Sequence, residues 1–123
     1  MSEDYFDKEG QPLNMWQWSA LLGDPDYKLL QQDVFVFGNE PVKVSTVWLG
    51  LNHNWTGSGP PLIFETMIFG GTHHLMCWRT STEQDALEAH REAVTLLQLE
   101  QGATDELRTD LQQREHGDHP GPD

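Results

Sequence analysis

Glu65 stands inside an apolar run, Leu62-Ile63-Phe64-Glu65-Thr66-Met67-Ile68-Phe69, and is the most oddly placed ionisable residue of the chain. In an extended strand, Ile63, Met67 and Phe69 share its face. If that face is buried, desolvation favours the neutral acid, and a carboxyl group so poised can serve as general acid or base. The alternatives are a Glu65 facing solvent at a strand edge, or one paired across the sheet with Arg79 or Lys43. His90 is the second candidate. It falls on a helical stripe with Ala86, Leu87, Ala93, Val94 and Leu97. There it is either a hydrogen-bonded core residue or the partner of Glu65 in an acid/base pair across a helix–sheet interface.

A third group lies where a strong strand runs into the loop Asn54-Trp55-Thr56-Gly57-Ser58-Gly59-Pro60. Asn52, His53 and Trp55 set polar groups beside an aromatic plate, which suits a small ligand with a flat ring. The plainer reading is a hairpin loop in which Asn52 and His53 satisfy backbone groups, as turn residues commonly do. His73, His74 and Cys77 invite a metal reading, because His74-x-x-Cys77 has half-site spacing and His116-x-x-His119 offers a second half. Zinc needs four ligands converging in space. The second pair lies 42 residues further on, so no metal site is assigned. Cys77 is expected to be a small buried apolar residue. Gly57-Ser58-Gly59 is no nucleophile elbow, and no glycine-rich phosphate loop or other cofactor motif is present.

The elements that must position these residues follow from periodicity. Asp7-Lys8-Glu9-Gly10 makes a turn in the opening segment. Residues 13–31 carry helical spacing, with Asn14 as cap and Trp16, Trp18, Leu21 and Leu22 as an apolar face. Gly23-Asp24-Pro25 interrupts it, and Asp26 to Gln32 is a short helical or extended piece. Strands are expected at 34–37, 42–51, 61–69 and, as a possible fourth, 75–79. Their short connections favour an antiparallel meander. In the second strand Val42, Val44, Thr46 and Trp48 share one face. Thr80 and Glu83 have capping-box spacing, and Ser81 or Thr82 could cap the same helix, which runs to about Leu99 with Gly102 as its stop. A short helix at 104–113 is possible, and 116–123 reads as disordered. Trp residues 16, 18, 48 and 78 are expected in the core and Trp55 partly exposed. The fold class is α+β: a small antiparallel sheet of three to four strands packed with an N-terminal helix and a longer C-terminal helix. Residues 1–100 form the domain and 101–123 an acidic, flexible tail.

The block Val44-Ser45-Thr46-Val47-Trp48-Leu49-Gly50-Leu51-Asn52-His53, followed by Pro60-Pro61-Leu62-Ile63-Phe64-Glu65-Thr66-Met67-Ile68-Phe69-Gly70-Gly71, resembles a family of small uncharacterised proteins of bacterial genomes and of phages or prophages. Tyr5-Phe6-Asp7 with Gly10, and the stretch from Trp78-Arg79 to His90, are similar too, so the likeness covers about residues 5–95. The family carries no assigned activity. The resemblance implies a phage or mobile-element setting and nothing about chemistry.

Charge narrows the functions. The net charge is −13, with only seven Lys and Arg. That disfavours direct nucleic-acid binding and anionic membrane surfaces, and leaves a basic protein or a divalent cation compatible. The acidity is uneven: residues 34–81 sum to zero, residues 1–33 to −5 and residues 82–123 to −8. One cysteine excludes an intrachain disulfide, and the acidic opening lacks an apolar signal region. These features suggest a cytoplasmic protein, in the host cell if phage-encoded. The leading expectation is a noncatalytic binding protein that takes a host or phage protein or a small ligand and can form a homodimer. Two alternatives are a small enzyme using Glu65 with His53 or His90, and an acidic mimic of nucleic acid.

Overall fold

A computed structural model describes residues 4–117, with side chains as far as Gly102. The chain opens with a two-stranded ribbon, β1 (Tyr5–Phe6) and β2 (Pro12–Leu13), closed by the Asp7–Gly10 turn. The Asp7 carboxylate accepts from the Glu9 and Gln11 amides and locks that turn. Helix α1 (Met15–Leu22) begins at a full capping box. The Asn14 side chain accepts from the Gln17 amide, and the Gln17 side chain accepts from the Asn14 amide. Gly23 ends it, and α2 (Pro25–Lys28) follows with proline in its first turn and Asp24 as cap.

The main sheet has four antiparallel strands in sequence order: β3 (Leu29–Phe37), β4 (Glu40–Trp48), β5 (Phe64–Phe69) and β6 (Cys77–Thr80). A two-residue turn with Gly38 at φ +65° joins β3 to β4, the arrangement that matches strand twist. Helix α3 (Glu83–Gly117) then packs over one face. Of the three residues that could cap it, Thr82 does: its hydroxyl accepts from the Asp85 amide at 3.1 Å. The α+β class and the meander order are as the periodicity predicts.

Four details differ from the sequence reading. The first strand starts at Leu29, five residues early, because the segment after Lys28 pairs with β4 despite its polar Gln31-Gln32-Asp33. Helix α3 passes through Gly102 and through the 104–113 stretch without a break. A glycine inside a helix costs only about 1 kcal/mol against alanine, too little to stop one unaided. Trp16 is 78% exposed, since residues two apart on a helix cannot share a face and Trp18 takes the inner position. Cys77 is exposed, because in β6 the alternation sends Trp78 and Thr80 inward instead. The ending expected to be disordered lies, from Asp118 on, outside the described residues.

The covered face of the sheet holds two apolar clusters. Trp48, Ile63, Phe64, Phe6 and Ala86 form one, against which Trp18, Leu21 and Leu22 of α1 pack. Val42, Val44, Ile68, Ala93 and Leu97 form the other, flanked by Phe35, Phe37 and Trp78. Between the clusters lies a polar patch of Thr46, Thr66 and His90, all fully buried. The opposite face of the sheet carries no helix among the described residues. Val34, Val36, Lys43, Val47, Glu65 and Phe69 stand on it, by register and alternation.

Candidate functional site

His90 sits at the centre of the helix–sheet interface and joins three strands. Its Nε2 is 2.7 Å from the Asp33 carboxylate on β3, and its Nδ1 is 2.7 Å from the Thr46 hydroxyl on β4. Thr46 in turn lies 2.6 Å from the Thr66 hydroxyl on β5. With the ring proton on Nε2, Asp33 accepts it, Nδ1 accepts from Thr46, and Thr46 accepts from Thr66. Every polar atom of the ring then has a partner, which is what burial demands.

An acid, an imidazole and a hydroxyl in that order is the arrangement that activates a nucleophile. Here the hydroxyls are out of reach: Thr46 is 0% exposed and Thr66 1%. Only the Asp33 end meets solvent, with its side chain 42% exposed. The chain of hydrogen bonds is therefore a tie between helix and sheet. Its members Asp33, Thr46 and Thr66 were not singled out from sequence, although a signal existed. Thr46 interrupts the inward line Val42-Val44-Trp48, and Asp33 alternates with Phe35 and Phe37. Polar residues on an otherwise apolar face, opposite a histidine on a helix stripe, mark such a network.

Glu65 points to the other face. It pairs with Arg79 at 3.2 Å, directly across the β5–β6 ladder, and its side chain is largely covered. Ile63, expected on its face, lies before β5 and is buried in the first cluster. Glu65 and His90 thus occupy opposite sides of one sheet, and no acid/base pair joins them. Cys77 is the neighbour of Glu65 on the open face. Partial desolvation, then the Glu65 charge, push its thiol pKa up, with Arg79 acting the other way. A raised thiol is a poor nucleophile.

The loop after β4 is built on its own polar groups. The Asn52 side-chain oxygen accepts from the Asn54 and Leu62 amides, at 2.8 and 3.0 Å. Asn54 donates to the Ser58 and Pro60 carbonyls, and Thr56 bonds to Asn54 and Ser58. His53 Nδ1 donates to the Leu51 carbonyl, leaving Nε2 as the acceptor atom of the ring, and Trp55 lies beside it with centroids 5.4 Å apart. Trp55 is 74% exposed, so the aromatic plate is open to solvent while the Asn52 side-chain oxygen is engaged in holding the loop.

His74 and His73 are also spoken for. His74 Nδ1 accepts from the Gly70 amide at 2.7 Å, and His73 Nε2 lies 3.3 Å from Glu100. Among the described residues no group of three or more His, Cys, Asp or Glu side chains is placed to hold a metal ion. A cleft of about 720 Å³ opens at the end of the sheet, between the β3–β4 turn, Gly71-Thr72 and the Leu97–Gln101 stretch of α3. None of Glu65, His53 and His90 lines it. No helix among the described residues is long and apolar enough to cross a membrane.

The open face of the sheet is the remaining feature of size. Val34 and Val36 on β3 are 58% and 57% exposed, and Phe69 on β5 lies under the Lys43 ammonium, 4.9 Å from ring centre to Nζ. Val47, Met67, the polar Gln32 and Ser45 and the Glu65–Arg79 pair share this face, which mixes apolar and polar side chains and is close to neutral in a strongly acidic protein. No protein-family model, curated protein or solved structure matches this chain.

Proposed function

We propose that the chain is a noncatalytic binding protein that docks a protein partner on the open face of its sheet, in a phage or mobile-element setting. The observation that carries this reading is the asymmetry of the sheet. One face is closed by α3, while the other presents Val34, Val36, Val47, Met67 and Phe69 with no element of the described chain above them. Val34, Val36 and Phe69 are exposed around Lys43, and exposed apolar side chains gathered on one face are a common mark of an interaction site. The same face, being the least acidic part of the protein, is also where a second copy could dock without strong charge repulsion.

Two features of the candidate residues support binding over catalysis. Glu65 is held by Arg79 away from His90, and the hydroxyls of the acid–imidazole–hydroxyl array are sealed. The test is the double substitution Val34→Asp and Val36→Asp. Both side chains are exposed, so the fold is retained. Sedimentation velocity of the purified protein reads self-association, and capture from the producing cell reads a second protein. The reading expects a complex formed by the native chain and lost from the variant. An unchanged complex places the partner elsewhere and overturns it.

A further inference from the structure

The sheet ends at β6, which pairs with β5 on one side only. Helix α3 crosses the covered face beside it, and between the flank of α3 and β6 lies a groove of about 330 Å³ lined by Trp78, Arg79, Thr80, Asp85, Glu88 and Glu92. Three features of this groove bear on what it could hold.

The first is the strand edge. Backbone donors and acceptors that point away from the sheet are a template for another extended chain. Adding a strand there satisfies them, and this is a common way for a domain to take a peptide.

The second is charge. Asp85, Glu88 and Glu92 are spaced three and four residues apart, so they form one row along the flank of α3. Among the described residues none of the three is in an ion pair. Arg79 on the groove wall is already paired with Glu65, and Arg91 shares the outer surface of the helix with Glu88 and Glu92, which leaves the row with an excess of two negative charges.

The third is the floor. Trp78 gives it an aromatic wall, on which a cation can rest. The Thr80 hydroxyl oxygen is sealed from solvent without a hydrogen-bond partner, the one such side-chain atom found among the described residues.

We infer that this groove takes an extended basic segment of a partner protein as a fifth strand of the sheet. Alternation fixes the pattern of that segment. Side chains facing α3 meet the acidic row and are Lys or Arg. Those between them face the open side, next to Arg79, and are uncharged. The other sheet edge, β3, lacks this complement, because its one acid, Asp33, is held by His90. The whole-chain charge of −13 draws a basic partner from a distance, while the strand edge selects extended backbone. The site borders the open face at Arg79, but it lies at the opposite edge of the sheet from Val34 and Val36 and does not depend on binding there.

The test uses the full chain and a fluorescein-labelled octapeptide that alternates lysine with threonine, read by fluorescence anisotropy at about 0.15 M salt, where long-range attraction is largely screened. Two controls keep the composition. One is N-methylated at alternate backbone nitrogens, and the other carries its four lysines in one block. The alternating peptide should bind at least tenfold more tightly than either control. Glu88→Gln with Glu92→Gln, both on the exposed side of the helix, should weaken it at least tenfold. Val34→Asp with Val36→Asp should leave it unchanged, whatever becomes of binding at the open face. Equal binding of the N-methylated or blocked peptide would reduce the effect to net charge and overturn the inference. So would undiminished binding to the helix variant, loss of binding in the open-face variant, or no binding of the alternating peptide.

Discussion

His90 is the residue whose chemistry and burial conflict most, and the conflict is resolved by hydrogen bonds at both ring nitrogens. Such a network is asymmetric in energy. Removing one member strands its partners, at about 1–3 kcal/mol, whereas removing all of them together with an apolar fill is nearly neutral. Thr46→Val should therefore destabilise the protein by about 2 kcal/mol in urea titration. The triple change Thr46→Val, Thr66→Val and His90→Leu should cost clearly less than the sum of the three single changes. Additive losses would mean that the hydroxyls and the ring do not act as one unit. At this scale the sequence was half legible. The helix stripe places His90 inward, and of its two readings the hydrogen-bonded core residue holds, while its acid, Asp33, lies just before the expected strand at 34–37 and is marked only by its alternation with Phe35 and Phe37. Partner identity is set by register, here the pairing of Asp33 with Val44 and of Thr46 with Thr66, and register is a tertiary fact.

Elements were legible where apolar period and strand chemistry agreed, as in Val42-Lys43-Val44-Ser45-Thr46-Val47-Trp48, whose buried and covered positions alternate without a fault. They were obscured where a residue answered to a distant neighbour. Gly50 shows this best. It looks like a chance break in Trp48-Leu49-Gly50-Leu51, yet it lets α1 and the opening ribbon close over the sheet. Its φ is +73°, and a Cβ there would lie 2.4 Å from the Trp48 ring and 2.5 Å from the Trp18 ring. The Gly50 carbonyl accepts from the Phe6 amide, Trp48 Nε1 donates to the Phe6 carbonyl, and Trp18 Nε1 donates to the Leu49 carbonyl. Gly50→Ala should thus bear both the left-handed backbone penalty, about 1–2 kcal/mol, and an overpacking penalty of about 1–3 kcal/mol. Gly38→Ala is the control. Gly38 also has positive φ, but nothing lies within 4 Å of its added Cβ, so only the first penalty applies. Thermal or urea unfolding of the two variants should differ by the overpacking cost, and equal losses would remove the close approach as the reason for glycine at 50.

For the whole molecule, the uneven charge is the feature that sequence displayed most plainly. The zero-sum centre became the sheet, and the acidity went to α3 and to the opening segment. Like charges at this density repel in the folded state more than in the expanded one, so the fold should be held back at low ionic strength. Sodium chloride raised from about 0.01 M to 0.5 M shortens the screening length from roughly 30 Å to under 8 Å and should raise the unfolding midpoint by several degrees. Chloride is the right choice, since sulfate would also strengthen apolar burial. Residues 103–123 carry a net charge of −4, and among the side chains described, which reach Gly102, the last buried helix position is Leu97. A chain ending at Gly102 should therefore unfold as cooperatively as the full chain, gain midpoint at low salt, and respond less to added chloride. A truncated chain that unfolds without cooperativity would instead make the segment after Gly102 part of the folding unit, and would move the domain boundary read from composition at residue 100. A full chain indifferent to chloride would mean that its acids are already too far apart, or too well solvated, for repulsion to matter.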